Sequence, residues 1–163
     1  MRIPDDDYEE IRNVLPISCV DLLVTNEAGE VLLVRRANEP ASGEWWLPGG
    51  RVHFAELREA AARRKLVEEC GLHADSLTEL KTFDVILPRK SQSGLSHAIT
   101  TVFAVQVSTG SIVRLDPQSA QSRWKTAAAW RSETLQPFVA NCLALLDAPS
   151  SDASSKPASV AMS

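Results

Sequence analysis

The chain has 163 residues, 44% of them hydrophobic and 23% charged, with a formal net charge of −4. That length suits one domain with a core of useful size. The negative balance argues against broad binding to nucleic acid or to a membrane surface and leaves only a local basic pocket for anionic ligands.

Residues 1–15 read as an N-terminal arm. Within it Asp5-Asp6-Asp7 precede Tyr8-Glu9-Glu10-Ile11, the pattern of a short helix with acidic residues at the positive end of its dipole. So short a helix needs something to pack on, so it is either a surface cap or a dimer arm. Residues 17–25 and 31–36 read as two strands, and residues 26–30 join them in a hairpin. Both strands are apolar on both faces, which predicts a sheet covered on both sides. Asp21 interrupts the first strand, and a carboxylate there is costly unless paired. Arg36 ends the second strand and is either its partner or a ligand's. After a loop at 37–43, Trp45-Trp46-Leu47 reads as a short buried strand. Adjacent strand residues face opposite sides, so one Trp belongs to the core and the other lines a pocket wall that stacks on a base or sugar.

Pro48-Gly49-Gly50 is a turn signal. A short polar loop leads into a helical run from Glu56 to Cys70, and Gly71 suits the left-handed residue that ends many helices. On a 3.6-residue period Lys65, Glu68 and Glu69 share one face, with Arg64 at its edge. Leu57, Ala60, Ala61, Ala62, Leu66 and Val67 cover the rest, which predicts a mostly buried helix with one charged ridge. The ridge is either a solvated, salt-bridged surface or a cation site beside a phosphate. A hard divalent cation takes oxygen ligands, and arginines take phosphate oxygens.

Further on, residues 77–87 and 99–107 read as strands around a polar loop at 88–96 that is able to close over a ligand. Residues 108–111 make a turn, and 115–122 a second polar loop. Residues 134–147 read as a closing helix with Pro137 in its first turn. Its core face is Leu135, Phe138, Val139, Cys142, Leu145 and Leu146. From Ala148 the Pro, Ser, Ala and Asp composition predicts a disordered tail over 148–163, which leaves 16–147 as the domain. The three cysteines, Cys19, Cys70 and Cys142, lack metal-type spacing and read as small hydrophobes in a reducing compartment. The acidic start is no secretory signal. No apolar run approaches the roughly 20 residues needed to span a bilayer. Together these point to the cytoplasm.

Gly50, five residues, Glu56, seven residues, then Arg64-Lys65-Leu66-Val67-Glu68-Glu69-Cys70-Gly71-Leu72 resembles the Nudix box, G-x5-E-x7-R-E-U-x-E-E-x-G-U with U a bulky aliphatic. Every specified position matches except one, where Lys65 replaces the first Glu of the R-E-U-x-E-E run. The resemblance implies an α/β/α sandwich with a mixed central sheet. It also implies Mg²⁺- or Mn²⁺-dependent hydrolysis of a nucleoside diphosphate linked to another group. Within the family the chain is most similar to the GDP-mannose mannosyl hydrolase branch. The shared features are the Asp21 strand, the segment from Arg35 through Pro40 and Trp45-Trp46 to Val52, and the missing first Glu. That branch cleaves the sugar C–O bond with inversion, where most Nudix enzymes cleave P–O.

Carried over by position, Gly49 (main-chain carbonyl), Glu69 and Gln118 match metal ligands, with Glu68 as a further metal-binding carboxylate. Arg36, Arg51 and Arg64 match residues that neutralise the diphosphate or orient a metal ligand, Asp21 matches an active-site position, and Trp46 is the aromatic candidate for substrate contact. Resemblance and the N-terminal helix together suggest a homodimer. The branch's general base is a His after the Gln ligand, where this chain has Ser119. His53 and His97 are the spare candidates, and His73 reads as structural. Three readings follow: a nucleoside diphosphate sugar hydrolase, a Nudix pyrophosphohydrolase cutting P–O, or a non-catalytic binder of such a ligand. Lys65 puts a positive charge one helical turn from Glu69, which predicts one divalent ion and not several.

Overall fold

The computed structural model describes residues 3–39, 41–89, 94–108, 110–117 and 119–147. Residues 90–93, Gln118 and the tail 148–163 therefore lie outside the described residues, and with them the middle of the first polar loop, one metal-ligand candidate and the expected disorder; the ends of that loop belong instead to strands, which reach Pro88 and resume at Leu95. The elements run α1 (Asp5–Val14), β1 (Ile17–Asn26), β2 (Glu30–Arg36), β3 (Trp45–Trp46), β4 (Gly49–Arg51) and α2 (Arg58–Cys70). They continue β5 (Ser76–Pro88), β6 (Leu95–Val107), β7 (Ser119–Thr126), α3 (Ala127–Arg131), α4 (Pro137–Ala144) and a 3-10 turn at Leu145–Asp147.

Among the described residues the strands form one sheet in the order β3-β2-β1-β6-β5, with β4 also on β1 and β7 also on β2. β1 runs parallel to β6 and antiparallel to β2 and β4, so the sheet is mixed. Side chains alternate along the strands and feed two cores. Val20, Leu22, Val24, Leu32 and Val34 meet Ala61, Ala62, Leu66 and Cys70 of α2 on one face. Leu23, Val31 and Leu33 meet Trp130 of α3 and Phe138, Val139, Cys142 and Leu143 of α4 on the other. The result is an α/β/α sandwich, as the doubly apolar strands require.

One feature of the topology opens the site. The β1–β2 ladder is confined to the hairpin end, with Thr25 opposite Val31. Further along, β1 turns to β4, pairing Cys19, Val20 and Asp21 with Arg51, Gly50 and Gly49. β2 instead pairs with β7 down to Arg36 opposite Ser119. Glycine is required at the parting, because a Cβ on Gly49 would lie 2.3 Å from the Val20 carbonyl oxygen. Gly71 takes φ 66° and closes α2 as expected.

Several expectations need correction. β7 falls partly within residues read as a polar loop; Ser119–Thr126 carries little apolar signal and is held by main-chain pairing to β2. The two adjacent Trp rings do not divide between opposite sides. Trp46 packs on Phe138 at 5.1 Å and Trp45 on Trp130 at 5.2 Å, both against the α3–α4 core. α2 is less buried than its aliphatic content suggests: Leu57 and Val67 are exposed, whereas Lys65 and Glu69 are buried. In the closing helix Leu143 is buried and Leu146 is exposed.

Trp130 is fully buried and its indole N–H donates to the Val31 carbonyl at 2.9 Å, which ties α3 to β2. Trp130→Phe removes that hydrogen bond and leaves a partly empty site. We expect a loss of about 2 kcal/mol in urea unfolding, with an unchanged m-value.

Candidate active site

A cavity of about 810 Å³ lies where β1 and β2 part. That size suits a ligand larger than a mononucleotide's base alone. Its wall includes Asp21, Arg36, Trp46, Gly49, Gly50, Arg51, Arg64, Lys65, Glu68, Glu69 and Ser119. The structure thus brings together in this cavity every described residue that the resemblance assigned to the site. His53 and His97 also line the cavity, whereas His73 is exposed elsewhere.

Asp21 is 7% exposed, and its costly burial is met by neighbours other than Arg36. Thr100 donates its hydroxyl to Oδ2 at 2.6 Å, and the Trp46 indole N–H donates to Oδ1 at 3.2 Å. Burial pushes the Asp21 carboxyl up to about 6 against those two hydrogen bonds and the nearby Arg36 charge. Arg36 itself lies over the Trp46 ring at 5.8 Å and donates from Nε to the Asn38 carbonyl at 3.4 Å. Trp46 therefore serves as core and as wall together.

Glu69 projects from the buried face of α2 and is 6% exposed. Its Oε2 accepts the Gly49 N–H at 3.0 Å, and its Oε1 meets the Lys65 ammonium at 2.7 Å. Burial raises the Glu69 carboxyl, and Lys65 pulls the other way. Glu68 stands at the rim with its side chain 47% exposed, 3.0 Å from Arg64 Nη1 and 3.4 Å from Lys65 Nζ.

Arg64 is occupied by protein groups. Nε and Nη2 form a two-pronged pair with Glu56 at 2.7 Å each, and Nη2 also donates to the Arg51 carbonyl at 3.0 Å. Glu56 in turn accepts the His53 N–H at 2.9 Å. This network ties the loop after β4 to α2, a positioning role. The hydrogen bonds from Arg64 hold the Glu56 carboxyl down at about 2. A carboxylate depressed on folding stabilises the fold above its unfolded value of about 4.3 and loses that contribution as pH falls toward 2. Glu56→Gln is therefore expected to flatten the fall in Tm between about pH 4.5 and 2.5, measured by thermal melts across that range.

Some wall residues carried no sequence signal for this role. Tyr8 and Arg12 reach the cavity from α1, and the Arg51 guanidinium lies 4.6 Å from the Tyr8 ring centroid. Glu39 also lines the cavity, and its Oε2 is buried with no hydrogen-bond partner among the described residues. Such contacts are tertiary, and no local pattern encodes them. The cysteines are free thiols; burial pushes Cys19 and Cys70 up to about 12, which disfavours the nucleophilic thiolate.

Does this donor set suit a divalent cation? Glu69 and the neighbouring Gly49 main chain supply hard oxygen donors, with Glu68 at the rim. Among the described residues no cluster of three or more His, Cys, Asp or Glu side chains gathers for a metal. Glu69 and the Gly49 main chain fit a hard divalent ion in the chemistry of their donors.

The family model for the NUDIX domain matches residues 16–146. The chain belongs to the Nudix hydrolase family. This Nudix protein is 35% identical over 148 residues to the low-salt glycan biosynthesis protein Agl8 of Haloferax volcanii, covering 90% of this chain and 92% of that one. The crystal structure of the MutT protein from Methanosarcina mazei Go1 superposes with TM-score 0.70 at 25% identity, covering 82% and 95% of the two chains. The NUDIX domain of Shewanella oneidensis NrtR, solved with ADP ribose, superposes with TM-score 0.68 at 19% identity, covering 89% and 97%. That last likeness is one of fold. No helix among the described residues of this Nudix protein is long and apolar enough to cross a membrane.

Proposed function

We propose that this protein hydrolyses a nucleoside diphosphate sugar of the GDP-mannose type with the help of Mg²⁺ or Mn²⁺, releasing nucleoside diphosphate and free sugar. The observation that carries this reading is one cavity holding a buried Glu69 carboxylate at Gly49 together with Arg36 and Arg51. Anionic diphosphate and a cation-binding carboxylate are thereby served in one place. The glycan-related name of the 35% identical relative supports a sugar-bearing substrate.

Glu69 and the Gly49 carbonyl would hold the ion, joined by Gln118 and, at the rim, Glu68. When bound there, a divalent ion draws charge from the departing diphosphate. Arg36 and Arg51 neutralise the remaining phosphate charge. Arg64 positions the Arg51 loop. Trp46 closes the wall beside Arg36, and Asp21, held by Thr100, fixes Trp46 and the Gly49 turn. Water adds to the anomeric carbon, its proton goes to a base, and the C–O electron pair leaves with the diphosphate. His53 and His97 are the imidazoles at hand. If either is that base, its Ala variant loses about 10²-fold or more in kcat; if both variants keep wild-type kcat, neither is.

A second reading, cleavage of P–O in a nucleoside diphosphate derivative, is favoured by Ser119 standing where the mannosyl branch has its His. Incubation with GDP-mannose, GDP-glucose and ADP-ribose plus Mg²⁺ separates the readings. Free sugar with nucleoside diphosphate supports the first. Sugar phosphate with nucleoside monophosphate supports the second, and tight binding without turnover identifies a non-catalytic binder. The same reading takes the protein as a cytoplasmic homodimer, which light scattering on the purified chain tests for its assembly.

A further inference from the structure

Lys65 occupies the one box position that departs from the family pattern, and its contacts are specific. Its ammonium lies 2.7 Å from Oε1 of Glu69, while Oε2 of the same carboxylate takes the Gly49 N–H. Both oxygens of the buried carboxylate at Gly49 are therefore engaged by the protein itself. The Lys65 side chain is only 9% exposed. It lies across Gly50 so closely that a Cβ there would be 2.7 Å from Lys65 Cε and 3.2 Å from Nζ. A second acceptor stands nearby, since Glu68 Oε2 is 3.4 Å from the same ammonium and half exposed.

We propose that Lys65 is a resident counter-cation for Glu69, which a divalent ion must displace toward Glu68, so that the ion binds together with the diphosphate and not before it. This rests on the metal-assisted reading above. The physical reason is charge balance. Glu69 with Lys65 at 2.7 Å forms a neutral pair, so an incoming dication gains far less attraction there than at an unpaired carboxylate. A diphosphate restores the negative charge. It attracts the dication and gives the displaced ammonium a further anionic partner alongside Glu68. Arg36 and Arg51 in the same wall add positive potential that disfavours a free dication and favours a diphosphate.

Mn²⁺ binding followed by electron paramagnetic resonance tests this without turnover. In the absence of nucleotide the wild-type protein is expected to bind Mn²⁺ weakly, and Lys65→Met at least tenfold more tightly. With saturating GDP the two are expected to converge to within about threefold. Lys65→Arg, which keeps the charge, should stay as weak as wild type. Should Lys65→Met prove poorly folded, Lys65→Gln serves as the neutral variant, with Tm recorded for each. A neutral, folded variant that binds Mn²⁺ no tighter than wild type without nucleotide overturns the proposal. Failure of the underlying reading shows separately, as wild type that turns over no sugar nucleotide when Mn²⁺ is supplied without added GDP.

Discussion

Replacing Glu69 by Gln is expected to lower kcat by about 10³-fold or more, while the protein remains folded. Glu69 is the buried carboxylate held at the Gly49 turn, so the substitution removes the negative charge that would retain a divalent ion. The fold survives because the amide keeps the side chain's shape and its oxygen still accepts the Gly49 N–H. The Lys65 ammonium loses its partner at 2.7 Å but has Glu68 within 3.4 Å. Some stability is lost all the same, since a buried ammonium with a weaker partner is costly. The check is a pair of measurements on one preparation: steady-state turnover of the best sugar nucleotide and a thermal melt. A folded variant with kcat within tenfold of wild type would refute the ligand assignment.

Arg64→Lys is expected to lower kcat by about 10²-fold, although the charge is kept. A lysine cannot reproduce the two-pronged bond to Glu56 together with the donation to the Arg51 carbonyl. The β4 loop then loses its register against α2, and Arg51 and Gly49 move with it. Misplacement on that scale costs rate through geometry. Glu56→Gln should cause part of the same loss, and the double variant should lose little beyond Arg64→Lys. That non-additivity is the signature of one shared network, and additive losses would count against it.

How much of this was legible beforehand depended on whether the signal was local. The Gly50-to-Gly71 spacing, the doubly apolar β1 and β2, and Pro137 at the start of α4 each encode their structure in neighbouring residues. β7 does not, because a polar strand held by pairing to β2 has no apolar alternation to read. β4 is three residues long with two glycines, and only its place against Val20 and Asp21 makes it a strand. The partial burial of α2 was also hidden. Periodicity located the charged ridge, but burial of Lys65 and Glu69 depends on their pairing with one another and with Gly49. Likewise Asp21 finds Thr100 on β6, a partner 79 residues away that no spacing rule could supply. The contribution of Tyr8 and Arg12 depends on α1 folding back over the cavity.

The choice between attack at carbon and attack at phosphorus is the centre of the account, and oxygen labelling reads it directly. GDP-mannose is hydrolysed to completion in water enriched in ¹⁸O with Mg²⁺, and both products are analysed by mass spectrometry. Label is expected in the released sugar and none in the GDP. Label on phosphorus, with GMP and sugar phosphate as products, would contradict it.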